Sequence, residues 1–312
     1  MAYEKNRKIL TQFIEERKVI WPAEQQKLAD GTMDLKANHA VWNSAIAAFE
    51  QIVLWEDGAP GYSKEHGQPQ PSIIFVPSSS PSPKGTVIVA HGGGFVARAG
   101  HEGFHVADYF NKAGFAVAIL TYRLKPYTRY DAIGDMQRAI RTIRARREEL
   151  CVTDKVAVMG FSAGGMLSGN CATHFDSGSA QSADYVERQS SRPDAAVIGY
   201  GSFSFVSFPG GMFVNPFEDS QRQEQVYLSL EKNVSTKTPP FFFWQTNSDD
   251  PRHSLVLAKE LTDHGVPFEL HCFPEGRHGL GLADGANDNG IRIPHLMHWA
   301  ELCSEWLELQ GI

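Results

Sequence analysis

Gly160-Phe161-Ser162-Ala163-Gly164 decides the reading of this chain, because an apolar strand runs into it and a small-residue helix runs out. The strand is Lys155-Val156-Ala157-Val158-Met159, and the helix is Gly165-Met166-Leu167-Ser168-Gly169-Asn170-Cys171-Ala172. A turn this tight would drive the side chains two residues before and after the serine into each other. Glycine at 160 and 164 removes that collision. The turn lifts the Ser162 hydroxyl clear of the sheet and sets the next backbone N–H at a helix N-terminus, where negative charge is favoured. A plain Gly/Ser turn is the alternative, and the surroundings of Ser162 decide between the two.

A serine hydroxyl is a weak nucleophile that needs a base, an orienting acid and a place for the oxyanion. Upstream, the strand Thr86-Val87-Ile88-Val89-Ala90 ends in His91-Gly92-Gly93-Gly94-Phe95. Consecutive glycines let backbone N–H groups turn toward a ligand. The amides of Gly93, Gly94 and Ala163 are therefore the expected oxyanion donors. The loop lacks the G-K-[ST] ending of a P-loop and the spacing of a dinucleotide fingerprint. His91 is expected to hold the loop rather than to react. Downstream, Pro240-Phe241-Phe242-Phe243-Trp244-Gln245-Thr246 reads as a buried strand ending in Asn247-Ser248-Asp249-Asp250-Pro251. A carboxylate there sits on the same sheet edge as the nucleophile. Asp249 is the favoured acid and Asp250 the alternative, a turn residue before proline. The next strand, Pro267 to Phe273, leads into Pro274-Glu275-Gly276-Arg277-His278-Gly279-Leu280-Gly281. His278 lies in a glycine-flanked loop suited to a catalytic base, whereas His271 lies inside the strand. The expected triad is Ser162, Asp249 and His278, with no metal and no cofactor.

On these residues the chain resembles the α/β-hydrolase esterase/lipase superfamily, near the hormone-sensitive-lipase-like esterases and nearer the bacterial acetylxylan-esterase-related and feruloyl/acetyl esterases. The likeness runs from about Ile52 to the C-terminus. It is carried by Leu54-Trp55-Glu56-Asp57-Gly58-Ala59-Pro60-Gly61, the His91–Phe95 loop, Tyr122-Arg123-Leu124, Gly160 to Gly165, and Phe273 to Leu282. It implies a mostly parallel central sheet flanked by helices. It also implies hydrolysis of short acyl esters, acetyl on a xylan-derived or other sugar, through an acyl-enzyme. An aryl formamidase or another small-acyl amide hydrolase would use the same residues, and a non-enzymatic binding protein would have lost one of them. One departure stands out: the acid loop Asp250-Pro251-Arg252-His253 is shorter than the family's and lacks its Val-Pro pair.

Strand-like and helix-like segments alternate through all 312 residues, as one α/β domain requires. Residues 1–45 read as a helical extension. There Ile9, Leu10, Phe13 and Ile14 form an apolar stripe that would pack on the domain, cap the site or join a second subunit in a homodimer. Residues 203–238 read as a cap insertion, with Phe203, Phe205, Phe208, Met212, Phe213 and Phe217 weighed equally as pocket lining or core. Before the serine turn, Met136, Ala139, Ile140 and Ile143 share a helix face, and Arg138, Arg141, Arg144, Arg146 and Arg147 read as a solvated face. With a formal net charge of −7 that arginine run does not imply nucleic acid. No stretch reaches membrane-spanning length, and Met1 to Leu10 lacks the apolar core of a signal peptide. Four widely spaced cysteines then read as reduced, mostly packed thiols of a cytoplasmic protein acting on a small-molecule ester. His101-Glu102-Gly103-Phe104-His105 matches H-E-x-x-H. However, Asn111 stands where an extended zinc motif needs a third histidine, and no glutamate follows before Glu148, so the segment is expected to start the next helix instead.

Overall fold

The computed structural model describes residues 3–16, 28–30, 32–208, 222–287 and 290–312. Among the described residues eight strands form one sheet: β1 (Ile52–Val53), β2 (Ser72–Val76), β3 (Thr86–Ala90), β4 (Ala116–Thr121), β5 (Val156–Phe161), β6 (Ala195–Gly199), β7 (Phe241–Thr246) and β8 (Phe268–Phe273). Their spatial order is β1-β2-β4-β3-β5-β6-β7-β8. β1 and β2 run antiparallel to their neighbours, and every pairing from β4 across to β8 is parallel. Strands β2 to β7 are buried along their whole length. Both faces are covered, which is why these strands read as continuous apolar runs rather than alternating ones.

The helices are α1 (Glu4–Glu15), α2 (Leu35–Ile46), α3 (Val106–Lys112), α4 (Arg129–Ala145), α5 (Arg147–Leu150), α6 (Ala163–Thr173), α7 (Arg222–Leu228), α8 (Arg252–Asp263) and α9 (Pro294–Leu309). Alternate strand residues feed two cores. On one face Ile88, Ala118 and Val158 pack with Met136, Ala139, Ile140 and Ile143 of α4, Leu167 of α6 and Leu257 of α8. On the other, Val87, Val89, Val117 and Met159 pack with Trp42 of α2, Phe110 of α3 and Trp299 of α9. Each fully buried Val, Leu, Ile, Met or Phe side chain contributes roughly 1.5–3 kcal/mol.

The α1 stripe packs on the domain: Leu10 is in the second core, with Ile9, Phe13 and Ile14 against it, and the Asn6 amide donates to the Phe75 carbonyl of β2 at 2.8 Å. Phe203 and Phe205 are core residues, whereas Met212, Phe213 and Phe217 lie outside the described residues. The arginine face corrects the sequence reading. Arg138 and Arg141 are buried. Arg138 pairs with Asp184 at 2.6 Å and Glu187 at 2.7 Å, Arg141 with Asp176 at 2.5 Å, and Arg144 with Asp194 at 2.7 Å. The stretch from 176 to 194 folds over the side of α4 expected to meet solvent. The cysteines also need correction, since Cys171 and Cys303 are buried but Cys151 and Cys272 are exposed.

Candidate active site

β3 has β4 on one side and β5 on the other, so the chain changes direction across the sheet at this strand. Ligands of open α/β sheets bind beyond the carboxyl ends of strands at such a switch point. The glycine loop leaves β3 there and Ser162 leaves β5 there.

Ser162 adopts φ 53° and ψ −119°. Such backbone conformations in a residue with a Cβ cost about 1–3 kcal/mol and persist where the surroundings enforce them. The enforcement is visible. The Ser162 N–H donates to the Gly199 carbonyl at 3.0 Å, and its carbonyl accepts from Met166 N at 3.0 Å. A Cβ at Gly160 would lie 2.0 Å from the Gly164 carbonyl oxygen, the collision expected across the turn. The constraint on Gly164 comes from elsewhere, because its Cβ would lie 2.2 Å from the Ala90 carbonyl oxygen at the end of β3. The glycine loop and the serine turn are thus in direct contact.

The His278 ring lies between the serine and the acid. Nε2 is 2.8 Å from Ser162 Oγ, and Nδ1 is 2.9 Å from both carboxylate oxygens of Asp249. Since an ionised carboxylate only accepts, Nδ1 carries the proton and Nε2 is left to accept from the hydroxyl. The Asp249 side chain is 4 % exposed. Asp250 turns outward with φ 48° and bonds Arg252 Nε and Nη2, each at 2.7 Å. Arg252 lowers its carboxyl below the usual range. Of the two expected acids, only Asp249 meets the histidine. His271 bonds Glu269 at 2.7 Å within β8.

Gly93 and Gly94 have φ 120° and 64°, values that glycine adopts without strain. Among the described residues, the N–H groups of Gly93, Gly94 and Ala163 have no acceptor. The Gly92 N–H is already taken, donating to Glu102 Oε2 at 2.6 Å. His91 is fully buried, stacks on Tyr122 at 4.6 Å and bonds the Gly92 carbonyl through Nδ1 at 2.7 Å. Burial lowers its pKa to about 3, so it stays a neutral spacer. Two segments that carried the family likeness meet through Arg123, which bonds the Pro60 carbonyl at 2.5 Å and Asp135 at 2.7 Å.

Sequence reasoning overlooked Tyr200. Its ring stands edge-on to His278 with centroids 5.1 Å apart, and it is buried. An aromatic with a polar tip at the end of a buried strand, on the same sheet edge as Ser162, was the available signal.

Residues 73–261 match the BD-FAE family, more than half of the chain. The chain belongs to the BD-FAE family. The matched region holds Ser162, Asp249 and the glycine loop and ends before His278. The chain is 29 % identical over 245 residues to endo-1,4-beta-xylanase B of Butyrivibrio fibrisolvens, covering 74 % of this chain and 38 % of that protein. It is 34 % identical over 242 residues to an acetylxylan esterase of Xylanibacter ruminicola, covering 73 % and 47 % respectively. It therefore spans less than half the length of these curated relatives. Among solved structures, the acetyl ester-xyloside bifunctional hydrolase of Caldicellulosiruptor lactoaceticus is similar at 36 % identity and a TM-score of 0.77, covering 84 % of this chain and 96 % of that one. The sheet and its flanking helices form an α/β-hydrolase fold, and the resemblance to the esterase/lipase superfamily holds.

Proposed function

We propose that this BD-FAE chain is a serine carboxylesterase removing short acyl groups, chiefly acetyl, from xylan-derived or similar acetylated sugars. The observation that carries the reading is the His278 ring held between Ser162 Oγ at 2.8 Å and Asp249 at 2.9 Å. His278 Nε2 takes the serine proton as Oγ attacks the ester carbonyl, and Asp249 holds the tautomer and stabilises the imidazolium that forms. The amides of Gly93, Gly94 and Ala163 receive the oxyanion at the N-terminus of α6, where the helix dipole adds to their effect. His278 returns the proton to the leaving alcohol, which leaves an acyl-serine. Water activated by the same histidine then releases the acid.

The acetyl preference draws its support from the relatives, two of which act on acetyl esters by name. The reading is tested with p-nitrophenyl esters from acetyl to octanoyl and with acetylated xylo-oligosaccharides, all in the presence of a chelator. Expected are chelator-insensitive turnover greatest on acetyl, and release of acetate from the oligosaccharides. Turnover greatest on octanoyl, with no acetate released, would overturn the substrate assignment. Activity on aryl formamides alone would move the same serine chemistry to an amide substrate.

A further inference from the structure

The segment that mimics a zinc motif has a different set of partners. His101 to Phe104 and His105 form a π-helical turn in which all five residues are buried. Such turns, rare in proteins at large, recur at functional sites. His101 Nε2 donates to the Gly279 carbonyl at 2.9 Å. Glu102 Oε2 accepts from the Gly92 N–H at 2.6 Å, and its Oε1 accepts from the Tyr200 hydroxyl at 2.7 Å. The Tyr200 oxygen in turn accepts from the Gly281 N–H at 2.8 Å.

These bonds end on two loops. Gly92 leads directly into Gly93 and Gly94, while Gly279 and Gly281 lie one and three residues after His278. Both of the latter sit at positive φ, 80° and 56°, so this loop has a conformation that needs fixing. The Glu102 carboxylate also lies close beside the serine turn: a Cβ at Gly92 would be 2.4 Å from Glu102 Oε2 and 2.9 Å from Ser162 Cβ. Burial and the adjacent Glu102 raise the Tyr200 phenol well above its usual range, so it remains an O–H donor wherever the protein is folded. A carboxylate buried this deeply costs desolvation that an apolar filler would avoid. Its charge-assisted bonds supply geometry in return.

We infer that Glu102, with Tyr200 as its relay, is a positioning residue that locks the amide loop after β3 to the His278 loop, fixing the oxyanion donors relative to the base. This rests on the serine-esterase reading above. Acyl transfer is sensitive to such placement, since a shift of about 1 Å can cost roughly 100-fold in rate.

The test uses Glu102→Gln, Tyr200→Phe and the double variant, with Ser162→Ala as control. Each is assayed for kcat and KM on p-nitrophenyl acetate and for thermal midpoint. Glutamine keeps the shape of Glu102 but cannot accept at both ends, and phenylalanine removes only the relaying hydroxyl. Expected is a fall in kcat of about 10- to 100-fold in each single variant, with KM within about threefold. The double variant should fall little further than the worse single, as members of one network do. Folded single variants with near-normal kcat would overturn the inference, even if their thermal midpoints drop, because that is what a merely structural role gives. Losses that multiply in the double variant would overturn it too. If Glu102→Gln fails to fold, Tyr200→Phe alone decides. Wild-type turnover by Ser162→Ala would instead sink the serine reading itself, so the two failures are told apart.

Discussion

Asp249 and Asp250 are chemically identical neighbours with opposite surroundings. The first faces His278 with its side chain almost fully buried, and the second is 36 % exposed and paired with Arg252. The positive φ of Asp250 separates the directions in which the two carboxylates leave the chain. If Asp249 fixes the histidine tautomer, Asp249→Asn lowers kcat on p-nitrophenyl acetate by about 1,000- to 10,000-fold. Asp250→Asn should stay within about threefold, and the reverse ranking would reassign the acid. Motif and order made Ser162 and His278 legible in the sequence, because glycine-flanked loops after strands are local signals. Between the two adjacent aspartates the sequence favours Asp249, because Asp250 precedes a proline, but the contact of Asp249 with His278 across 29 residues is not in any local pattern. Glu102 was visible only as part of a metal-like motif, since its partners Gly92 and Tyr200 lie in separate loops.

At the scale of elements, the strand–turn–helix from β5 to α6 is set by contacts that exclude a single methyl group. Gly160→Ala would push a Cβ to 2.0 Å from the Gly164 carbonyl oxygen, backbone that cannot step aside. A loss of about 4 kcal/mol or more is expected, read as a drop in urea midpoint or as failure to fold. Strands and helices were legible because each buried strand is an unbroken apolar run and α4 carries its core residues at helical spacing. The second side of α4 was misread for a physical reason. Arg138, Arg141 and Arg144 find their carboxylates between residues 176 and 194, beyond the serine turn, and periodicity contains nothing about such distant partners. Arg138 also donates to the Leu54 carbonyl at 2.8 Å and lies over the Trp55 ring. Arg138→Ala should therefore cost about 1–3 kcal/mol, whereas Arg147→Ala, on an exposed residue, should stay within about 0.5 kcal/mol. Equal urea midpoints for the two would contradict this packing.

Over the whole molecule, buried histidines, His91 and His105 among them, couple folding to pH. Burial holds His91 near a pKa of about 3 and His105 near about 4, both below the unfolded value of about 6.5. Below that pH the unfolded chain takes up protons that the folded chain refuses, so stability falls as pH drops. At pH 5 each group should cost about 2 kcal/mol relative to neutral pH. Urea midpoints measured from pH 7.5 to pH 5 should fall, and His105→Gln should flatten that dependence by about one proton. An unchanged slope in the variant would show that His105 charges in the folded state. Among the described residues no helix is long and apolar enough to cross a membrane. The net charge of −7, which argued against a nucleic-acid partner, coexists with arginines consumed internally by α4. Composition counts such charges, but only the folded chain shows that they are spent on its own carboxylates.

Every step proposed at this site needs Ser162 as the nucleophile. Treating the intact protein with the organophosphate paraoxon and locating the adduct by mass spectrometry of the protein and its peptides puts that to the test. Expected is one diethylphosphoryl group per chain, on Ser162, formed in step with loss of esterase activity and absent from Ser162→Ala. Full activity without an adduct, or inactivation with the group on another residue, would contradict it.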